Sequence, residues 1–139
     1  MPDTNETTVR RFVDEVINDG NYSVLHELVH ADYVYRSPGT ELRGQAALAE
    51  LFNAYRSGLP DLNVSVDDMI VAGDKVVISI TLCGTHTGDL MGIPATGRPV
   101  KVHGMVLSRL EHGKIAEEWE ILDMLGMFQQ LGVESLEAH

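Results

Sequence analysis

Residues 62–83 read LNVSVDDMIVAGDKVVISITLC and carry the clearest structural signal in the chain. Apolar residues recur at every second position on both sides of the tripeptide 72–74, Ala-Gly-Asp. They are Leu62, Val64 and Val66 before it, and Val76, Ile78, Ile80 and Leu82 after it. A spacing of two is typical of strands with one buried face, and a Gly-Asp pair favours a tight turn. The segment therefore predicts an antiparallel β-hairpin.

The pattern continues towards the C-terminus. A loop rich in Gly, Thr and Pro spans 84–99, and a long strand is predicted over 100–110. His112-Gly113 marks a turn, a last strand spans 114 to about 123, and a short helix over 125–131 follows.

The first half of the chain has helical periodicity instead. One apolar face repeats at i, i+3, i+4, i+7 and i+8, and it consists of Val9, Phe12, Val13, Val16 and Ile17. A second short helix follows Asn21, residues 33–35 form a brief extended piece, and a third helix is predicted over 44–57. Helices followed by antiparallel strands predict an α+β fold with the helices packed on one face of the sheet. We expect residues 1–139 to form a single domain.

Composition limits the possible partners. The chain has 10 Lys and Arg against 21 Asp and Glu, a formal net charge of -11, which repels nucleic acid and anionic membrane surfaces. No apolar run approaches the roughly 20 residues of a membrane span, and residues 1–5 are polar rather than signal-like. The single cysteine, Cys83, cannot form an internal disulfide and is expected to be a buried thiol. We expect a cytoplasmic protein with neither a nucleic-acid nor a membrane partner.

Acidic residues crowd the last predicted strand. Alternation assigns Trp119 and Asp123 to one face, and Glu118 and Glu120 to the other. If the Trp119 face lines a pocket, burial raises the pKa of Asp123 and suits this residue to acid/base catalysis. Glu118 and Glu120 are then expected on the solvated outer face. The alternative for Asp123 is that it caps the short helix that follows.

Three motifs connect these elements to a known family. The segments 84–88 (GTHTG), 92–98 (GIPATGR) and 113–119 (GKIAEEW), together with Asp123, resemble the SnoaL-like polyketide cyclases, and the likeness covers nearly the whole chain. This resemblance implies a nuclear-transport-factor-2-like cone. In that fold a strongly curved antiparallel sheet packs against three N-terminal helices, encloses an apolar pocket and usually forms a homodimer.

The resemblance also implies a reaction. Characterised members of the family close a ring by an intramolecular aldol condensation without a cofactor or a metal. An Asp at the end of the last long strand is their acid/base, and Asp123 matches that position. The implied substrate is a hydrophobic or aromatic small molecule that carries carbonyl groups, from which a positioned carboxylate removes a proton.

Further residues are candidates for the site. His103 could donate a proton to a developing oxyanion or orient Asp123, although a single His on an apolar face is more often structural. The other candidate substrate-binding residues are Trp119, Arg109, His86, Tyr35, Tyr55 and Met105. The alternatives are a carboxylate pair for Arg109, a role in shaping the pocket rim for His86, burial with the hydroxyl at the surface for Tyr35 and Tyr55, and core packing for Met105.

The six histidines have no compact ligand spacing beyond His26 and His30, so we expect no metal site.

Two other functional classes remain open. The chain could be a non-catalytic ligand-binding or dimerisation module in which Asp123 only caps a helix. It could also be an isomerase or an epoxide hydrolase, although the latter needs an Asp-Arg-Asp set of which Arg109 and Asp123 supply only part.

Overall fold

The computed structural model describes residues 4–133, so His139 lies outside the described residues. Four α-helices are present in this range. They are α1 (Thr4–Arg11), α2 (Leu25–Leu28), α3 (Gln45–Gly58) and α4 (Met124–Gln130). A π-helical segment, Phe12–Asn18, continues α1, and a 3-10 turn, Tyr22–Val24, leads into α2. No helix within residues 4–133 is long and apolar enough to cross a membrane.

In the described part of the chain, six strands form one curved sheet. They are β1 (Val29–Ser37), β2 (Thr40–Arg43), β3 (Asn63–Ala72), β4 (Lys75–Thr85), β5 (Pro99–Glu111) and β6 (Lys114–Leu122). Their order across the sheet is β2-β1-β6-β5-β4-β3. Neighbours are antiparallel except β1 and β6, which are parallel. The α+β fold predicted from the sequence is confirmed.

The hairpin predicted over 62–83 is present as β3 and β4. Val64 lies opposite Leu82, as the alternation requires. A β-bulge between Val66 and Asp68 inserts one extra residue, so that Met69, at an odd position, joins the buried side with Val66. The bulge explains why the simple alternation stops at Val66 in the sequence.

The first hairpin, β1–β2, was not predicted beyond its extended piece at 33–35. Strand β1 is nine residues long, and its exposed face carries polar side chains such as His30 and Asp32. Those residues conceal the strand pattern. Its extended conformation is fixed instead by pairing with β2 on one side and β6 on the other.

The core lies between the helices and the inner face of the sheet. The apolar face predicted for the first helix is buried there, and the ring of Phe12 meets that of Phe52 edge-on at 5.8 Å. The loop between β4 and β5 packs on the end of α3. Gly88 makes this approach possible, because a Cβ at this position would lie 2.1 Å from the carbonyl oxygen of Ser57.

Candidate active site

Two glutamates of β6 point into the molecule. Glu118 is only 5% exposed, whereas Trp119 is 37% and Ile121 is 65% exposed. The alternation predicted for this strand is therefore correct, but the assignment of its faces is wrong. Glu118 and Glu120 lie on the inner face, and Trp119 lies on the outer face.

Strand pairing gives the physical reason. β1 lies beside β6, and Tyr33 and Tyr35 on its inner face meet the two glutamates. The Tyr33 hydroxyl donates to Oε1 of Glu118 at 2.5 Å, and the Tyr35 hydroxyl donates to Oε1 of Glu120 at 2.5 Å. These bonds let two carboxyl groups occupy the interior that hydrophobicity alone assigns to Trp119. The matching spacing of two tyrosines and two glutamates is a sequence signal for this arrangement.

Two pockets that share part of their walls lie along this face. The inner pocket, a narrow cavity of about 40 Å³, lies between the helices and the sheet, and its walls are apolar apart from Glu118, Glu120 and tyrosine hydroxyls. The outer pocket, about 660 Å³, is partly open to solvent. The residues that line both pockets are Tyr35, Leu51, Tyr55, Glu120 and Leu122. These five residues therefore form a wall that the two pockets share.

Burial changes the protonation of both glutamates. Burial raises the pKa of Glu118 to about 7, and the charge of Glu120 adds to the rise, while hydrogen bonds from Tyr33 and Ser108 oppose it. Burial also raises the pKa of Glu120, against the hydrogen bond from Tyr35. The site therefore favours neutral carboxyl groups at its inner end.

Asp123 lies at the rim of the outer pocket. Strand β6 ends at Leu122, and the backbone of Asp123 leaves the extended conformation, with φ -74° and ψ 76°. This turn brings Asp123 to the pocket although its position in the alternation matches that of the outward Trp119. Its Oδ1 accepts a hydrogen bond from the Gly126 N–H at 2.9 Å, so Asp123 is the N-cap of α4. Asp123 therefore both caps α4 and lines the outer pocket.

His103, Met105, Trp119 and Arg109 lie on the outer face of the sheet, and none of them lines either pocket. The expectation that they share a pocket with Asp123 is wrong, because the inner positions of β5 belong to the even-numbered residues. The imidazole Nδ1 of His103 lies 3.2 Å from Oγ1 of Thr81. The contact between His103 and Asp123 runs through the backbone, from the Asp123 N–H to the His103 carbonyl at 3.0 Å.

Arg109 forms the carboxylate pair that the sequence suggested for it. Its Nη2 and Nε donate to Oε1 of Glu117 at 2.7 and 3.1 Å, and Arg36 also binds Glu117. These hydrogen bonds lower the pKa of Glu117. The guanidinium of Arg36 also lies 5.4 Å from the centre of the Trp119 ring. These contacts among Arg36, Arg109, Glu117 and Trp119 lie on the outer face of the sheet, and none of the four residues lines either pocket.

His86 is fully buried within the loop between β4 and β5. Its Nδ1 accepts from the Thr96 N–H at 3.3 Å, so the ring donates from Nε2 to the Ile93 carbonyl at 3.2 Å. Ile93 closes a tight turn with Leu90, and Met91 at the tip of that turn lines the outer pocket. His86 therefore stabilises the turn that carries Met91 and does not itself line either pocket.

Tyr35 and Tyr55 line both pockets, as their proposed role as ligand contacts requires. Burial raises the pKa of both hydroxyls, so they remain hydrogen-bond donors. Among residues 4–133, no three His, Cys, Asp or Glu side chains are grouped as a metal site would need.

Comparison with known proteins agrees with this fold. The SnoaL-like polyketide cyclase family matches residues 7–131. The aklanonic acid methyl ester cyclase of Streptomyces peucetius is 32% identical over 130 residues, which cover 89% of this chain and 88% of that enzyme. The nogalonic acid methyl ester cyclase of Streptomyces nogalater is 28% identical over 121 residues, with 83% and 88% covered. A crystal structure assigned to the SnoaL-like polyketide cyclases, from Jannaschia sp. CCS1, superposes with a TM-score of 0.87 at 26% identity, covering 95% of this chain and 94% of that one.

Proposed function

The chain belongs to the SnoaL-like polyketide cyclases, and we propose that it closes a ring of an aromatic polyketide by intramolecular aldol chemistry, with Asp123 as the base. The observation that carries this proposal is the position of Asp123 at the rim of a pocket whose inner end is apolar. No cofactor is required, because the substrate's own carbonyl groups delocalise the charge that the base creates.

The geometry suits proton removal from carbon. The Gly126 N–H donates to Oδ1 of Asp123 at 2.9 Å, and this bond restrains the carboxylate at the rim of the outer pocket. A carbon flanked by two carbonyl groups loses its proton to the carboxylate, and the enolate attacks a ketone of the same molecule. Tyr55 lines both pockets and can donate its hydroxyl proton to a substrate oxygen, whereas the Tyr35 hydroxyl already donates to Glu120.

The substrate class follows from the walls of the two pockets. Their side chains are largely apolar, which favours a hydrophobic or aromatic body over a charged one. The two cyclases named above act on methyl esters, in which the charge of a carboxylic acid is removed. A net charge of -11 further disfavours an anionic substrate. We therefore propose a methyl ester of a polyketide acid.

A second candidate is a non-catalytic binding module. It is favoured by one observation, the use of Asp123 as a helix N-cap, which is a complete structural role by itself. An epoxide hydrolase is not favoured, because Arg109 is bound to Glu117 on the outer face rather than placed beside Asp123.

We propose that the outer face of the sheet mediates the homodimer that the family resemblance implies. The surface-exposed apolar residues Ile70, Met105, Trp119 and Ile121 are at least one-third exposed and lie together on this face. In the sheet, Met105 pairs with Ile121, and Trp119 pairs with Leu107. A contiguous exposed apolar patch of this kind is typical of a protein interface.

A turnover screen tests the proposed function. Wild-type protein is mixed with aklanonic acid methyl ester, nogalonic acid methyl ester, a simple ketone and an epoxide, and products are identified by mass spectrometry. Binding is measured separately by calorimetry. Ring closure of a methyl ester supports the cyclase, whereas binding of a methyl ester without conversion of any probe favours the binding module.

A further inference from the structure

Glu120 lies where the two pockets meet. It lines both of them, as do the two tyrosines beside it, Tyr35 and Tyr55. Its Oε1 accepts a hydrogen bond from Tyr35 at 2.5 Å, and Asp123 lies three residues further on in the wall of the outer pocket. Two carboxyl groups therefore border the same space.

The two carboxyl groups have different environments. Asp123 is exposed at the pocket rim and is bound by a backbone N–H, whereas Glu120 faces the interior and is bound by a tyrosine hydroxyl. The arginines near β6 pair with Glu117 on the opposite face. Among the described residues no Lys or Arg forms an ion pair with Glu120. A buried carboxyl without a cation is more stable in its neutral form, and burial raises the pKa of Glu120 accordingly.

We propose that Glu120 is the proton donor of the ring closure and that it acts on the alkoxide formed when the enolate adds to the ketone. This inference rests on the proposed function and assigns a second residue to it. Pairs of carboxyl groups in unlike environments commonly divide the roles of base and acid in this way.

The Asp123 carboxylate takes a proton from the carbon between two carbonyl groups and leaves an enolate. The enolate carbon forms a bond to the ketone carbon, whose C=O π electrons move to oxygen. Glu120 then transfers its proton to this oxygen and becomes a carboxylate. The proton gained by Asp123 returns to Glu120 through solvent, so no oxidant, reductant or other reactant is consumed.

The neighbouring Glu118 is less suited to this role. Its Oε1 accepts from Tyr33 and its Oε2 from Ser108 at 3.1 Å, so both oxygens are occupied. It lines only the inner pocket. For Glu120, the hydrogen bond within the described part of the chain is made by Oε1, and Oε2 is available to a ligand.

Separating the two proton transfers tests the inference. Aklanonic acid methyl ester is incubated in D₂O with wild type, Glu120→Gln and Asp123→Asn, and both deuterium uptake and ring closure are followed. Glu120→Gln should retain enzyme-dependent deuterium uptake and close the ring about 10²–10⁴-fold more slowly, because Gln cannot transfer a proton. Asp123→Asn should lose both activities.

Other outcomes overturn it. Ring closure by Glu120→Gln near the wild-type rate, or loss of deuterium uptake along with closure, excludes Glu120 as the donor of the second step. If wild type neither exchanges nor closes any methyl ester, the proposed function itself fails and the role of Glu120 with it. That result is distinguishable because it does not depend on the Glu120 variant.

A pH profile provides a second test should Glu120→Gln fail to fold. A donor must be protonated, so kcat should fall as pH rises through the pKa of Glu120. The charged groups and titratable hydroxyls around Glu120 are Tyr33 and Tyr35 on β1, Tyr55 on α3, and Glu118 and Asp123 beside it on its own chain segment.

Tyr35→Phe removes the hydrogen bond that lowers the pKa of Glu120, so the alkaline limb of kcat should move to higher pH. Tyr33→Phe is the matched control, because it removes the equivalent bond to Glu118 and should move the limb less than Tyr35→Phe does. An unchanged limb in Tyr35→Phe contradicts the proposal.

Discussion

The hydroxyl of Tyr33 donates a 2.5 Å hydrogen bond to Oε1 of Glu118 inside the protein. Ser108 donates to the other carboxyl oxygen at 3.1 Å, and the burial of the group raises its pKa from 4.5 to about 7. The folded protein therefore binds a proton here that the unfolded chain releases between about pH 4.5 and 7.

Glu118→Gln should stabilise the protein at neutral and higher pH. The contribution of Glu118 to stability is complete below about pH 4.5, is lost as pH rises to about 7, and leaves a constant penalty above that. A shift of this size corresponds to about 3 kcal/mol at most. Gln is neutral throughout: its amide oxygen can accept from the Tyr33 hydroxyl, and its amide NH2 can donate to Oγ of Ser108, so that bond reverses direction. Urea unfolding at about pH 4 and pH 8 measures the difference.

The exposed Glu50→Gln is the matched control, for which we expect no pH-dependent change. A Glu118→Gln variant whose stability relative to wild type is the same at both pH values would show that Glu118 does not retain its proton on folding.

Gly126→Ala should impair catalysis without unfolding the protein. A Cβ at this position would lie 2.2 Å from Oδ2 of Asp123, so the carboxylate has to move. Ala otherwise stabilises a helix by about 1 kcal/mol relative to Gly. Because misplacing a catalytic group by about 1 Å can cost about 10²-fold, we expect kcat to fall by one to two orders of magnitude while Tm is nearly unchanged. Steady-state kinetics and thermal unfolding measure the two effects.

Gln129→Ala, an exposed change on the same helix, should leave kcat unaltered. Wild-type kcat in Gly126→Ala would mean that the orientation of Asp123 is not important for the reaction.

His86→Ala should act through the loop rather than through chemistry. The variant removes the hydrogen bond from His86 to the Ile93 carbonyl, which keeps the Leu90 N–H as a donor, so the loss is about 1 kcal/mol. The turn that carries Met91 is then held less firmly. Because Met91 lines the outer pocket, KM should rise, while the pH profile of kcat keeps its shape. The exposed Thr87→Ala serves as the control. A large loss of kcat with unchanged KM would instead assign His86 to the reaction.

Ile121→Lys should prevent dimerisation. Ile121 is the most exposed residue of the apolar patch on the outer face, and burying a Lys there without a partner is unfavourable. Sedimentation velocity should give a dimer for wild type and a monomer for the variant. Glu50→Lys changes a surface position on α3 and should remain dimeric. A wild-type monomer, or a dimeric Ile121→Lys variant, would place the interface elsewhere or exclude it.

Most elements of the fold could be predicted from the sequence, because local periodicity determines them. The alternation of β3 and β4 and the helical spacing of Val9, Phe12 and Val13 correspond to real elements with the expected buried sides. Strands β5 and β6 are also present, but their inner faces are the opposite of those expected. Strand β2 and the full length of β1 were missed. Their conformation is fixed by pairing between segments far apart in the chain, and that pairing leaves no local pattern.

The site was harder to predict than the fold. Hydrophobicity placed Trp119 inside and Glu118 outside, whereas hydrogen bonds from Tyr33 and Ser108 reverse the two. Such compensation depends on tertiary neighbours that a single strand does not reveal. The prediction that Asp123 lies at the pocket is based on the alternation of β6, which would place this residue on the outer face. Asp123 reaches the pocket because β6 ends at Leu122 and the backbone turns there.

The role of Asp123 as the base is tested most directly by the rate at which Asp123→Asn closes the ring of aklanonic acid methyl ester. Asn is also a good helix N-cap, so the change removes the base and preserves the start of α4. Asp14→Asn, at an exposed position of the first helical segment, is the matched control. We predict that Asp123→Asn binds the ester as wild type does and closes the ring about 10²–10⁴-fold more slowly, with Asp14→Asn unaffected. Ring closure by Asp123→Asn at the wild-type rate would contradict the assignment of Asp123 as the base.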